Sequence, residues 1–180
     1  MSTYHHGDLR SALLRSAAEL IEEQGLANLS LREAARRAEV SHNAPYRHFP
    51  DRDALLAALA AEGFEMLAGA LAKRAGREMG EAYVRFALEH PNRFRLMFGG
   101  RLKLERHREL ASAARRTYEG LVAAFHDLPS PEIAAAAAWS LVHGLAQLLL
   151  DGHFASAGDK SAFVREVIGA VRFAAAQRSA

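Results

Sequence analysis

Residues 30–56 read SLREAARRAEVSHNAPYRHFPDRDALL, and this run decides the fold. Ser30 and Glu33 stand as S-x-x-E, the spacing of a capping box at a helix start. Leu31, Ala34, Ala35 and Ala38 then recur at i, i+3, i+4 and i+7, which is one buried helical face. Ala34 and Ala35 are small enough for a second helix to approach closely. Val40 falls in a turn, and Ser41 is placed to cap a second helix expected over residues 42–49. Pro45 lies near that helix's first turn, where a missing N–H costs least. Tyr46 and Phe49 are expected to pack inward, with His42, Asn43, Arg47 and His48 polar and outward. Two short helices, a tight turn and a polar outer face on the second helix make a helix–turn–helix. In that motif the second helix enters the DNA major groove.

Composition agrees with a helical protein. The chain has 180 residues, half of them apolar, with abundant Ala and few Pro, so an all-α architecture is expected. It has no Cys, which excludes disulfides, zinc thiolate sites and cysteine nucleophiles. The opening MSTYHHGDLR lacks the apolar stretch of a leader peptide, so a cytoplasmic location is expected. Net charge is only +2, but residues 30–52 hold five Arg (Arg32, Arg36, Arg37, Arg47, Arg52) against three acids. Phosphate neutralisation is local, so such clustering counts for more than the charge of the whole. An enzyme reading has little to stand on. There is no phosphate-cradling Gly loop, no HExxH run and no activating context around Ser or Asp, so no catalytic residue, cofactor or metal is expected. His5 and His6 point apart on a helix and chelate poorly, which favours an N-terminal arm near DNA. A helical adaptor that binds only protein would leave the outward Tyr46-Arg47-His48 surface unexplained.

Around this run the chain divides into helices. The first is expected over 8–24, stopped by Gly25. A long helix opens at Pro50-Asp51 and ends near Gly76, and the domain boundary is placed within it. Residues 1–62 then form a DNA-binding head, and 63–180 a ligand-binding and dimerisation domain. Further helices are expected over 78–90, from Asn92 to Gly99-Gly100, and over 104–126, 132–151 and 160–177, giving about nine in all. The uncharged stretch 133–150 approaches the length of a membrane span. Its Ala content, with Trp139, Ser140, His143, Gly144 and Gln147, fits a helix buried within protein better, and no membrane partner is expected.

The motif residues resemble the tetracycline-repressor (TetR) family of bacterial transcription regulators. The family's L-S-x-R-E-x-A-x-x-A-x-V-S run is matched by Leu29-Ser30, Arg32-Glu33, Ala35, Ala38 and Val40-Ser41. Its Y-x-H-F is matched by Tyr46 and His48-Phe49, followed by Asp51-Arg52-Asp53 and Leu55. Asn43-Ala44-Pro45 departs from the usual small residue or Gly early in the second helix. A-W-S-L-V-H-G-L, with Trp139, His143 and Gly144, resembles the family's "WHG" type of C-terminal domain. The resemblance implies a homodimer on double-stranded DNA, paired through residues 132–151 and 160–177. It further implies that His42, Asn43 and Ala44 face base edges, and that Ser30, Tyr46, His48 and Arg52 hold phosphates. Arg32 could do either, and Arg36 and Arg37 either touch DNA or form a solvated face. A pocket for a small apolar effector would be lined by Tyr83, Phe86, Phe94, Met97, Phe98, Tyr118, Phe125, Trp139, His143 and Gln147. The competing reading of His143 is a core imidazole satisfied by its neighbours. The function expected is a ligand-responsive repressor on a palindromic operator. The alternative is a constitutive or activating regulator without a ligand.

Overall fold

The computed structural model describes residues 6–156 and 158–171. The expected N-terminal arm before His6 and the end of the last helix, 172–177, lie outside the described residues. Eight α-helices, three 3-10 turns and no strand occur among them. The chain forms two compact units, one of the segment up to Phe64 with His90–Ala114, the other of Glu65–Glu89 with the chain from Arg115 onward. The first unit therefore gains residues 90–114 beside the segment expected to form the head.

In the first unit, α1 (His6–Gln24) buries Leu13, Leu14, Ala17, Leu20 and Ile21 along one stripe. Gly25, at φ 78°, breaks it in a conformation that L side chains resist. Helix α2 (Leu31–Arg37) is capped by Ser30, whose Oγ accepts from the Glu33 N–H at 3.1 Å. Only that half of the expected box is seen, because the Glu33 carboxylate turns to the Arg36 guanidinium at 2.6 and 3.0 Å. Helix α2 closes in a Schellman arrangement, Val40 N–H on Ala35 C=O and Glu39 N–H on Arg36 C=O. Glu39 takes the position that Gly usually fills, at φ 55°. Helix α3 (Arg52–Leu71) starts on Asp51, whose Oδ1 accepts from the Ala54 N–H at 2.7 Å. It buries Leu55, Leu56 and Leu59 completely.

Helix α4 (Gly76–Glu89) lies in the second unit and α5 (Pro91–Phe98) in the first. The N-terminus of α5 is capped from α1: the Glu22 carboxylate accepts from the N–H of Asn92 at 3.2 Å and of Arg93 at 3.0 Å. A Cβ on Gly63 would sit 2.6 Å from the Met97 sulfur, so a larger residue there would require the Met97 side chain to move. Helix α6 (Arg108–Ala123) is shorter than expected, its first turns replaced by a separate 3-10 turn at Leu104–Arg106. In the second unit, α4 buries Ala82, Tyr83, Val84, Phe86 and Ala87 against α7 (Pro131–Leu150) and α8 (Lys160–Ala170).

Candidate nucleic-acid interface

The second helix of the motif is shorter than its sequence suggests. Instead of a helix over 42–49, the structure has one 3-10 turn, Ala44–Arg47, with Pro45 near its start. The span from Ser41 to Pro50 winds mainly as this single tight turn. It is held by i→i+3 bonds, Ala44 N–H to Ser41 C=O and His48 N–H to Pro45 C=O, and ends on one i→i+4 bond, Phe49 N–H to Pro45 C=O, each 2.9 Å. The tighter winding changes which side chains face inward. Pro45 and Phe49 are buried, whereas Tyr46, expected inward, is 49% exposed. Tyr46 and Arg47 thus stand on the outer surface with Ser41, His42 and Asn43. His48 is half-buried. Its Nε2 is enclosed with no hydrogen-bond partner among the described residues.

The five arginines of the motif divide by task. Arg37 bridges α2 to α1, donating to Glu23 at two distances of 2.6 Å and to Glu19 at 2.9 Å. Hydrogen bonding to Glu23, then to Glu19, raises its affinity for its proton, and the same bond holds Glu23 below the usual carboxylate range. Arg36 is paired with Glu33 on the surface. Arg52, expected on phosphate, is turned inward: its Nε donates to the Leu29 carbonyl at 2.7 Å and its Nη2 to the Leu26 carbonyl. Those carbonyls lie in the connection from α1 to α2. The guanidinium fork donates to both at once. Arg32 and Arg47 remain exposed. The surface so built is a shallow outer face of small, hydroxyl, amide and aromatic groups flanked by two cations. It suits base edges and phosphates rather than bond-making chemistry.

A family model described as "Bacterial regulatory proteins, tetR family" matches residues 13–59, and one described as "Tetracyclin repressor-like, C-terminal domain" matches residues 76–171, over half of the chain. The chain belongs to the TetR family. It is thus a DNA-binding transcription regulator with the all-helical TetR fold. Among solved structures, a protein with unknown function from Rhodococcus sp. RHA1 is 34% identical, with 94% of each chain covered and a TM-score of 0.77. SCO4313, described as a regulatory protein, is 26% identical over 90% of this chain and 93% of that one, with a TM-score of 0.72. The multidrug binding protein EbrR, complexed with imidazole, shares the fold at 22% identity and TM-score 0.60, covering 94% of this chain and 97% of that one. No curated protein matches the chain.

Of the ten residues expected around an effector in this TetR protein, the structure groups some and separates others. In the second unit Tyr83, Trp139 and His143 form a polar cluster. Trp139 Nε1–H donates to the Tyr83 hydroxyl at 3.0 Å, and that hydroxyl lies 2.9 Å from His143 Nδ1. Indole nitrogen only donates, so the tyrosine oxygen accepts there, and the same hydroxyl shares a hydrogen bond with the imidazole. Burial pushes the Tyr83 phenol well above its ordinary range and His143 below 6.5, both favouring the neutral forms. Tyr118 adds its ring 6.0 Å from Trp139, and Phe86 is buried nearby on α4. Gln147 turns to Asp151 at 3.0 and 3.1 Å, one turn further along α7, and Phe125 lies half-buried beyond the end of α6. Phe94, Met97 and Phe98 belong to the first unit, where Phe98 packs on Phe94 at 4.9 Å and on Phe64 at 5.2 Å. Tyr83 as the hub of the polar cluster had no signal in the sequence, since it lies 60 residues from His143.

Proposed function

We propose that this TetR regulator acts in the cytoplasm as a homodimeric repressor of a palindromic operator and releases it when a small, mainly apolar molecule occupies the C-terminal domain. The observation that carries the DNA part is the outer face of the 3-10 turn, where Tyr46 and Arg47 stand exposed while Pro45 and Phe49 anchor the turn from inside. His42, Asn43 and Ala44 read base edges, Asn43 being suited to adenine and Ala44 to a thymine methyl. Ser30, Tyr46 and His48 hold phosphates, Arg32 does either, and Arg52 positions the head from within. Residues 132–151 and 160–177 pair with their copies. Support comes from α7, whose apolar 18-residue window is only 28% buried, with Ile133 71% and Leu148 42% exposed. The effector reading rests on a half-buried His143 and Trp139 on an aromatic wall. The alternative, a constitutive or activating regulator, is favoured by one feature: Tyr83, Trp139 and His143 satisfy one another.

Selection of bound sequences from a random DNA pool tests the reading, with light scattering for the dimer and a screen of apolar compounds for release. A palindromic site, a dimer without DNA, and compounds that raise the melting temperature while loosening the operator are expected. Stabilising compounds that leave operator affinity unchanged would refute the effector part. A stable monomer at micromolar concentration would refute the dimer.

A further inference from the structure

The helix–turn–helix consumes most of its own positive charge. Arg37 is spent on Glu19 and Glu23, Arg36 on Glu33 and Arg52 on two carbonyls, leaving Arg32 and Arg47 exposed. Non-specific attraction to a duplex depends on cations that meet phosphates, and two per recognition element is a small number for that task. A second source of charge lies in the same compact unit. Residues 101–108 read RLKLERHR, with four cations (Arg101, Lys103, Arg106, Arg108), His107 and a single acid, Glu105. All four cations are exposed, and none pairs with a carboxylate among the described residues.

This segment is fixed beside the recognition turn by Arg10 of α1. Arg10 Nη2 donates to Glu109 Oε2 at 2.9 Å, and the same guanidinium lies over the Phe49 ring, 5.6 Å from its centre. Phe49 closes the recognition turn, and Glu109 follows the basic run directly in the chain. The bridge does two things. It links the residue after the basic run to the ring that closes the recognition turn, and it pairs Glu109, the nearest acid downstream of the run, with a cation. The run is also held short by the 3-10 turn Leu104–Arg106, whose ends are closed by Arg106 N–H on Lys103 C=O and His107 N–H on Leu104 C=O, each 3.0 Å. Four cations therefore lie along a compact connection rather than on a loose tether.

We propose that residues 101–108 form a second phosphate-binding element, which contacts the DNA backbone beside the groove entered by the recognition turn. The inference rests on the DNA-binding role and extends its surface from the helix–turn–helix to the connection between α5 and α6. The contact is with backbone, because the run lies outside the turn that enters the groove, where cations meet phosphates and position without reading sequence. It adds affinity equally on any sequence.

The test is a salt titration of binding to a 40-base-pair duplex of random sequence. Three proteins are compared: the unaltered chain, a variant with Arg101, Lys103, Arg106 and Arg108 each changed to Gln, and a control. The control changes Lys73, Arg77, Arg85 and Arg115 to Gln, which alters net charge equally on exposed positions of the second unit. Each phosphate left without its cation shrinks the slope of log affinity against log salt by about 0.9. The basic-run variant is expected to lose at least about two units of slope while the control keeps the original value. An unchanged slope in the basic-run variant overturns the proposal, as does an equal loss in the control, which would mark a general field effect. Failure of the unaltered protein to bind the duplex at low salt would instead contradict the DNA-binding role itself. If the fourfold variant loses its helical melting transition, the double change Lys103→Gln with Arg106→Gln gives the same test at half the effect.

Discussion

Replacing Arg52 by Gln separates two roles that a single arginine could play in this head. The structure gives it an internal one: its guanidinium holds the carbonyls of Leu29 and Leu26, tying the start of α3 to the connection between α1 and α2. Hydrogen bonds from a charged donor contribute about 1.5–3 kcal/mol each. Arg52 is only partly buried, so water replaces some of what is removed, and the lower end applies. Two such bonds then give a loss of about 2–3 kcal/mol, or a melting temperature lowered by roughly 4–12 °C for a chain of this size. Because no phosphate neutralisation is removed, the salt dependence of DNA binding keeps its slope, and affinity falls only by the share of molecules whose head is no longer formed. Thermal unfolding followed by circular dichroism, and anisotropy titrations at several salt concentrations, give both quantities. A variant with unchanged stability and a slope smaller by about one unit would refute the internal role and return Arg52 to the phosphates.

Glu39→Gly should stabilise the chain by up to about 1 kcal/mol, since the strain of φ 55° outweighs glycine's greater freedom when unfolded; a fall in denaturant midpoint would contradict this. Gly80→Val should cost about 1–3 kcal/mol, because a Cβ there already meets Val142 and Ile168 at 3.2 Å; an unchanged midpoint would mean that α4 can shift. Asn43→Ala should relax preference at one base position by about 1–3 kcal/mol and leave the salt slope alone, as read from sites selected by the two proteins. Burial holds His143 below its ordinary 6.5, so as pH falls the unfolded chain takes up this proton first. Its contribution is complete above 6.5 and lost as pH drops below that value, and in His143→Gln this part of the acid destabilisation should vanish from urea midpoints measured between pH 7.5 and 5.

What could be read from the sequence was what depends on near neighbours. Ser30 caps α2 three residues from its partner, and the buried stripe of Leu31, Ala34 and Ala35 follows from helical period alone. Phe49 was legible as an anchor for the same reason. The orientation of Tyr46 is not legible in this way, because an α-helical period does not apply where the chain takes a 3-10 turn. The tasks of the arginines were hidden more deeply. A sequence records that Arg37 is charged but not that Glu19 and Glu23, 18 and 14 residues earlier, face it across the pair of helices. The carbonyls that claim Arg52 lie 23 and 26 residues back and have no side-chain signature at all.

Helices α3 and α7 show why hydropathy alone could not assign a partner. Both have 20 residues and a mean hydropathy of 1.6 over their most apolar window, yet that window is 61% buried in α3 and 28% in α7. The difference lies in what each helix turns outward. On α7 the open face runs through Ile133, Ala136, Ala137, Ser140, Gly144 and Leu148, large at its ends and small in its middle. A Cβ on Gly144 would meet nothing within 4 Å, and the Ser140 hydroxyl donates to the Ala136 carbonyl at 2.8 Å, so its polarity is spent within the helix. Lipid would gain little from such a face, because Ala, Ser and Gly offer small apolar area to transfer. A second helix gains more. Small central residues let two backbones approach, and the bulkier Ile133 and Leu148 close over the ends of the contact. The same side chains that make α7 resemble a membrane span therefore suit a closely packed helix better than lipid.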